Sequence, residues 1–283
     1  MKWIIASCFF LSFCLSAIGQ IETSGTVIAI DATQKELVIA ADSRRGKTRH
    51  SYGDDVCKIA TFDNRIIFAA SGNTGPSMDP KIRLWDAYAI AQQQYRKLAV
   101  PKCASDTFII RLAQAWGVAI KQQMEEGLRW HPEAIWEIND NYIISAIFAG
   151  VKANGDIIAV SESLSAGPKR NGVIQVVLDP VQVLKQSDYL WVLGVREIIG
   201  ELTVGKTIRA QQWRRSINAA IKSGGDPLAT LATQYVRITI DNLRKTRTDF
   251  KGTSFSEVGD PISVLRLTQN GAEWIQYGNC PRK

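Results

Sequence analysis

The chain has 283 residues and a formal net charge of +7, with 46% hydrophobic and 22% charged residues. These are globular proportions, which exclude a disordered or fibrous chain. The basic residues form two small clusters, Arg44-Arg45-Lys47-Arg49 and Arg209-Arg214-Arg215. No basic stripe with interleaved aromatics of the nucleic-acid-binding kind accompanies them, so the excess charge reads as solvated surface.

Residues 1–19 read as a secretory signal peptide. Lys2 supplies a minimal positive region, an apolar run follows from Trp3 to Ile18, and Ala17-Ile18-Gly19 places small residues where a signal peptidase cuts. Cleavage is expected before Gln20, which makes the protein exported, periplasmic or secreted. The run is short for a spanning helix. Cys8 and Cys14 leave with it, so Cys57, Cys103 and Cys280 remain. An odd number of cysteines outside the cytosol leaves one thiol unpaired or paired between chains. Cys57 lies in an apolar strand and reads as core packing. A Cys103–Cys280 bridge is one pairing the count allows, and spacing alone does not decide it.

Beyond the leader the chain opens with strands. Thr26–Ala32 and Glu36–Asp42 are continuous apolar runs, as in a sheet covered on both faces. A polar loop spans Ser43–Asp55. Val56–Phe62 and Arg65–Ser71 pair through an Asp63-Asn64 turn. Two helices follow, Pro80 to about Leu98 and about Ser105 to Leu128. The second carries Phe108, Ile109, Leu112, Trp116, Ala119 and Ile120 at helical spacing, with Ser105 as its N-cap. Strands return at Tyr142–Lys152 and Asp156–Glu162 around Asn154-Gly155, a strong hairpin signal. Shorter strands are expected at Val173–Leu178 and Tyr189–Leu193, then helices at Ala210–Lys222 and Pro227–Arg244. A final hairpin, Pro261–Leu267 and Glu273–Tyr277, turns at Asn270-Gly271. This order predicts an α+β fold: a four-layer αββα sandwich of two antiparallel sheets flanked by helices. No linker divides residues 26–283, so they form one domain.

Four residues stand at telling intervals. Asp42 lies sixteen residues after Thr26, Lys58 sixteen after Asp42, and Gly72 fourteen after Lys58. With Thr26-Val27-Ile28-Ala29-Ile30, Val38-Ile39-Ala40-Ala41-Asp42-Ser43-Arg44, Lys58-Ile59 and Phe68-Ala69-Ala70-Ser71-Gly72 around them, the stretch resembles the start of a proteasome β-subunit. The Ile262-Ser263-Val264 strand and the Asn270-Gly271 hairpin resemble that family's end. The resemblance is clear over about Thr26–Gly72 and architectural elsewhere.

The resemblance implies an N-terminal-nucleophile hydrolase, a threonine-type peptidase with Thr26 exposed by autocleavage after Gly25. Residues 20–25 would then be a short propeptide. A threonine hydroxyl needs a base to take its proton, and in this class the base is the residue's own freed amine. Lys58 would lower that amine's pKa by like-charge proximity, Asp42 would hold Lys58, and the Gly72 N–H would donate to the oxyanion. The resemblance implies no cofactor and no metal, peptide or unfolded-protein substrates, and a homo-oligomeric ring. The sequence also departs from that pattern. Val27 replaces a second threonine, Leu193-Gly194-Val195-Arg196 lacks the supporting serine, and Gly259-Asp260-Pro261 replaces paired glycines. An amidase acting on a small amide, or a non-catalytic ring or binding subunit, fits the same fold. His50 and His131 are the chain's two histidines, and neither has a companion that makes a triad or a metal site. Ser71 does not sit in a Gly-x-Ser-x-Gly elbow.

Overall fold

The structure is a computed structural model. It describes residues 26–48, 51–53, 56–74, 85–98, 105–130, 142–171, 173–185, 190–196, 198–246 and 258–281. The expected leader and propeptide (1–25), Cys103, His50 and His131 lie outside the described residues.

The described chain is α+β, with two antiparallel sheets and helices. One sheet has the order β11-β1-β2-β12-β13, with β1 Val27–Ala32, β2 Glu36–Ala41, β11 Trp191–Gly194, β12 Ser263–Thr268 and β13 Gly271–Gln276. The other has the order β10-β8-β7-β6-β5, with β5 Ile59–Phe62, β6 Ile66–Gly72, β7 Tyr142–Val151, β8 Ile157–Arg170 and β10 Gln182–Val183. Strand β9, Val173–Leu178, also pairs with β8.

Alternation along the strands sorts the apolar side chains to opposite faces. On β1, Val27 and Ala29 join a cluster with Tyr235, Val236 and Ile240 of helix α5 (Pro227–Thr246). Ile28 and Ile30 join a different cluster, which draws Ile39 from their own sheet and Ile67, Ala69 and Ile147 from the other. A third cluster packs Phe68 and Phe148 beneath Ile109, Leu112 and Trp116 of α2 (Asp106–Trp130) and Ile90 of α1 (Ala87–Lys97). Burial on both faces explains why β1 and β2 are apolar apart from Asp31 and Glu36. Each fully buried isoleucine or phenylalanine contributes roughly 1.5–3 kcal/mol.

Helix starts follow local chemistry. The Asp86 side chain accepts from the Tyr88 and Ala89 amides, and the Ser105 hydroxyl accepts from the Phe108 amide, so orphan donors of each first turn are satisfied. The Asp86 cap starts α1 at Ala87, later than the expected start at Pro80; residues 75–84 lie outside the described set.

Several elements differ from the sequence reading. Strand β8 continues past Glu162 to Arg170, because β9 gives its polar end ladder partners. Arg45–Thr48 (β3) and Ser51–Gly53 (β4) form a two-stranded ribbon inside the expected polar loop. A short helix, α3 Ile199–Val204, precedes α4 Ile208–Lys222. Cys57 is not simple core packing. It forms a disulfide with Cys280 across 223 residues, which corrects the alternative Cys103–Cys280 pairing.

Candidate active site

Thr26 stands immediately before β1, 7% exposed, at the end of the sheet where β1 meets β11. Its carbonyl accepts from the Val195 amide at 2.9 Å. Gly194 makes that approach possible. At φ +81° it occupies the left-handed region, and a Cβ there would sit 1.7 Å from the Thr26 carbonyl oxygen. The same imagined Cβ would lie 3.4 Å from Ser71 Cβ, so Thr26, Gly194 and the end of β6 converge.

Lys58 immediately precedes β5. Its Nζ donates to the Thr26 hydroxyl at 3.0 Å and to Asp42 Oδ1 at 2.7 Å. Lys58 is 5% exposed and Asp42 is fully buried. Asp42 follows the last residue of β2. Its Oδ1 also accepts from the Val27 amide at 3.0 Å, and its Oδ2 accepts from the Arg44 amide at 3.0 Å and the Gly259 amide at 3.1 Å. Burial pushes the Asp42 carboxyl up from its ordinary value, and Lys58 with the Val27 and Gly259 amides pulls against that push. All four partners are donors, which is the environment of a carboxylate rather than a carboxylic acid.

The rest of the frame is backbone. The Ser43 amide donates to the Gly259 carbonyl at 3.0 Å, the Ser43 hydroxyl donates to the Pro261 carbonyl, and the Val56 amide donates to the Ser43 carbonyl at 3.2 Å. Beside Lys58, the Cys57–Cys280 bridge ties the segment entering β5 to the C-terminal end of the chain.

The structure therefore brings together three of the four residues singled out from the sequence: Thr26, Asp42 and Lys58. Gly72 lies at the end of β6 with φ +92°, where a Cβ would meet the Ile143 carbonyl at 2.5 Å. Among the described residues it makes no hydrogen bond to the other three, and it neighbours them through Ser71. Residues that the spacing did not mark are Gly194, the amides of Arg44 and Gly259, and Tyr88, whose hydroxyl reaches the Lys58 backbone. Gly194 lies in the departing Leu193–Arg196 stretch, and only the fold reveals what its missing Cβ is for. Among the described residues no group of three His, Cys, Asp or Glu side chains is placed to hold a metal ion, and no helix is long and apolar enough to cross a membrane.

No protein-family model matches the chain, and no curated protein sequence is similar to it. Among solved structures it is similar to Anbu (ancestral beta-subunit) from Yersinia bercovieri, with 14% identity over 89% of this chain and 87% of that one and a TM-score of 0.41. It is similar also to an Anbu Gly-1 mutant from Hyphomicrobium sp. strain MC1, with 14% identity, the same coverage and a TM-score of 0.42. These findings correct the family expected from the Thr26–Gly72 spacing. With no matching family model and only so remote a structural likeness, the chain is not assigned to the proteasome β-subunit family of N-terminal-nucleophile hydrolases. The case for chemistry at Thr26 rests on the geometry of the site.

Proposed function

We propose that the chain is a threonine-nucleophile hydrolase of peptide bonds, active once residues 1–25 are removed and Thr26 gains a free amine. The observation that carries the reading is the buried Lys58 ammonium held between Asp42 and the Thr26 hydroxyl at 2.7 and 3.0 Å. A buried ion pair is a poor source of stability. One aimed at a hydroxyl has a chemical use, since it fixes the rotamer and lowers the cost of forming an alkoxide.

In the first event the Thr26 hydroxyl attacks the Gly25 carbonyl. The Gly25–Thr26 C–N bond breaks, the hydroxyl proton ends on the departing Thr26 nitrogen, and water hydrolyses the resulting ester, leaving a free Thr26 amine. In turnover that amine takes the hydroxyl proton during attack on a substrate carbonyl and hands it to the leaving amine. Water then releases the acyl group. The Gly72 N–H is the proposed donor to the oxyanion. The proposal includes export with removal of residues 1–19, a propeptide at 20–25, a four-layer order of helices, sheet, sheet and helices, and a homo-oligomeric ring. The Cys57–Cys280 bridge supports export, because such bridges persist in oxidising compartments.

The test is N-terminal sequencing and intact mass of the full chain from an exporting host, beside Thr26→Ala. Labelled casein and fluorogenic peptide amides are compared with small acyl amides as substrates. The wild type is expected to begin at Thr26 and cut peptides, while the variant begins at Gln20 and is inert. Both beginning at Gln20 would overturn the reading and favour a non-catalytic binding subunit. Turnover of small amides alone would make it an amidase.

A further inference from the structure

Strands β5 and β6 pair in a register whose last rung is Ile59 opposite Ala69. Continued by one residue, that register sets Lys58 opposite Ala70, but the ladder stops there. In its place stands the Tyr88 hydroxyl from α1. It donates to the Lys58 carbonyl at 2.9 Å and accepts from the Ala70 amide at 3.4 Å, with the Ala70 carbonyl also 3.4 Å away. The tyrosine ring packs edge-on against Phe68 with centroids 5.1 Å apart, which locks its direction. Burial holds the phenol well above its ordinary pKa, so it stays a neutral donor.

Strand parity shows what this insertion changes. Ile59 belongs to the cluster shared by the two sheets, while Ala60 and Phe62 pack toward α1 and α2. A regular strand alternates, so Lys58 in an unbroken ladder would point with Ala60 and Phe62, toward the helices. Its Nζ is instead on Thr26 and Asp42. We infer that Tyr88 is the positioning residue for Lys58: its hydroxyl replaces the Lys58–Ala70 rung and turns the lysine out of strand parity, toward the nucleophile. This rests on the function proposed above. Tyr88 acts through the lysine backbone and touches no reacting atom.

Tyr95 supplies a matched control on the same helix. Its hydroxyl donates to Asp63 at 2.7 Å, at the far end of the β5–β6 hairpin. The experiment is a pulse–chase of the full chain in an exporting host, with the N-terminus followed by mass, for wild type, Tyr88→Phe, Tyr95→Phe and Lys58→Ala. Melting temperatures accompany the rates. Removal of residues 20–25 is first order, so its rate reports placement of the lysine rather than substrate affinity. We expect Tyr88→Phe to slow it by about tenfold or more, with Tyr95→Phe at the wild-type rate and Lys58→Ala unprocessed. In the mature enzyme kcat on a fluorogenic peptide should fall by the same factor, with KM unchanged. Wild-type processing in Tyr88→Phe beside a blocked Lys58→Ala overturns this inference alone, as does equal slowing in both tyrosine variants. Normal processing in Lys58→Ala, or none in the wild type, overturns the proposed function and this inference with it.

Discussion

Two buried carboxyl groups divide the molecule instructively. Asp42, between the sheet ends, is fully buried and meets a lysine and three backbone amides. Glu162, on β8 under α2, is 1% exposed, and among the described residues its Oε1 has no hydrogen-bond partner. Gly117 of α2 packs so closely on it that a Cβ there would lie 3.0 Å from Glu162 Cγ. Burial, with the Asp179 charge adding to it, pushes Glu162 up to about 8, so near neutrality it keeps its proton. Burial alone does not make a carboxylate site. The donors around the group decide whether the charge survives, and only Asp42 has a cation that passes its influence on to a hydroxyl.

The largest way to break this contrast is Asp42→Asn. It leaves Lys58 buried without its counter-charge, which costs about 3–5 kcal/mol. We expect a lower melting temperature and no removal of residues 20–25. A variant that kept wild-type processing would show that Asp42 only packs.

A smaller effect is expected from the bridge on Asp42's side of the molecule. Replacing Cys57 and Cys280 together by alanine should cost roughly 2–4 kcal/mol, mainly by freeing a long loop in the unfolded chain. Denaturant titration measures that cost. Well below the melting temperature processing should continue, because Asp42 and Tyr88 still hold Lys58. Loss of processing in a folded double variant would make the bridge part of the site's positioning.

Glu162→Gln should leave removal of residues 20–25 unaffected and act on stability alone, through pH. The folded group titrates near 8 against 4.5 for the free side chain, so between those values the folded protein binds the extra proton. Wild-type stability therefore falls as pH rises through that window, and the glutamine variant lacks this component. The variant should equal the wild type at pH 4.5, exceed it above pH 8, and process normally. Melting curves of both proteins from pH 4.5 to 9 provide the check. A wild type that gains on the variant as pH rises would make Glu162 an ionised, satisfied group like Asp42.

Local chemistry was legible where one or two residues decide the geometry. The Asp63-Asn64 turn takes positive φ at both residues, Gly155 and Gly271 turn their hairpins at φ +80° and +107°, and Ser105 caps α2. Elements stabilised by distant partners were not legible. Ser163 and Ser165 look like a strand's end until β9 pairs beside them. The Cys57 partner lies 223 residues away, and no spacing identifies it. The intervals picked out Thr26, Asp42 and Lys58, which the fold brings into hydrogen-bond contact, yet they overstated kinship, because short apolar strands with one polar residue each carry little family information.

The sequence by itself determined the longer strands and helices, where their tight turns fall, and which polar residues stand at the ends of apolar strands. Periodicity and turn chemistry act within a few residues, so they can be read directly. Only the tertiary structure decided that Lys58 faces Thr26 rather than the helices. Strand parity argues the other way, and the decision rests with a tyrosine hydroxyl thirty residues downstream, lodged where a ladder bond would otherwise form.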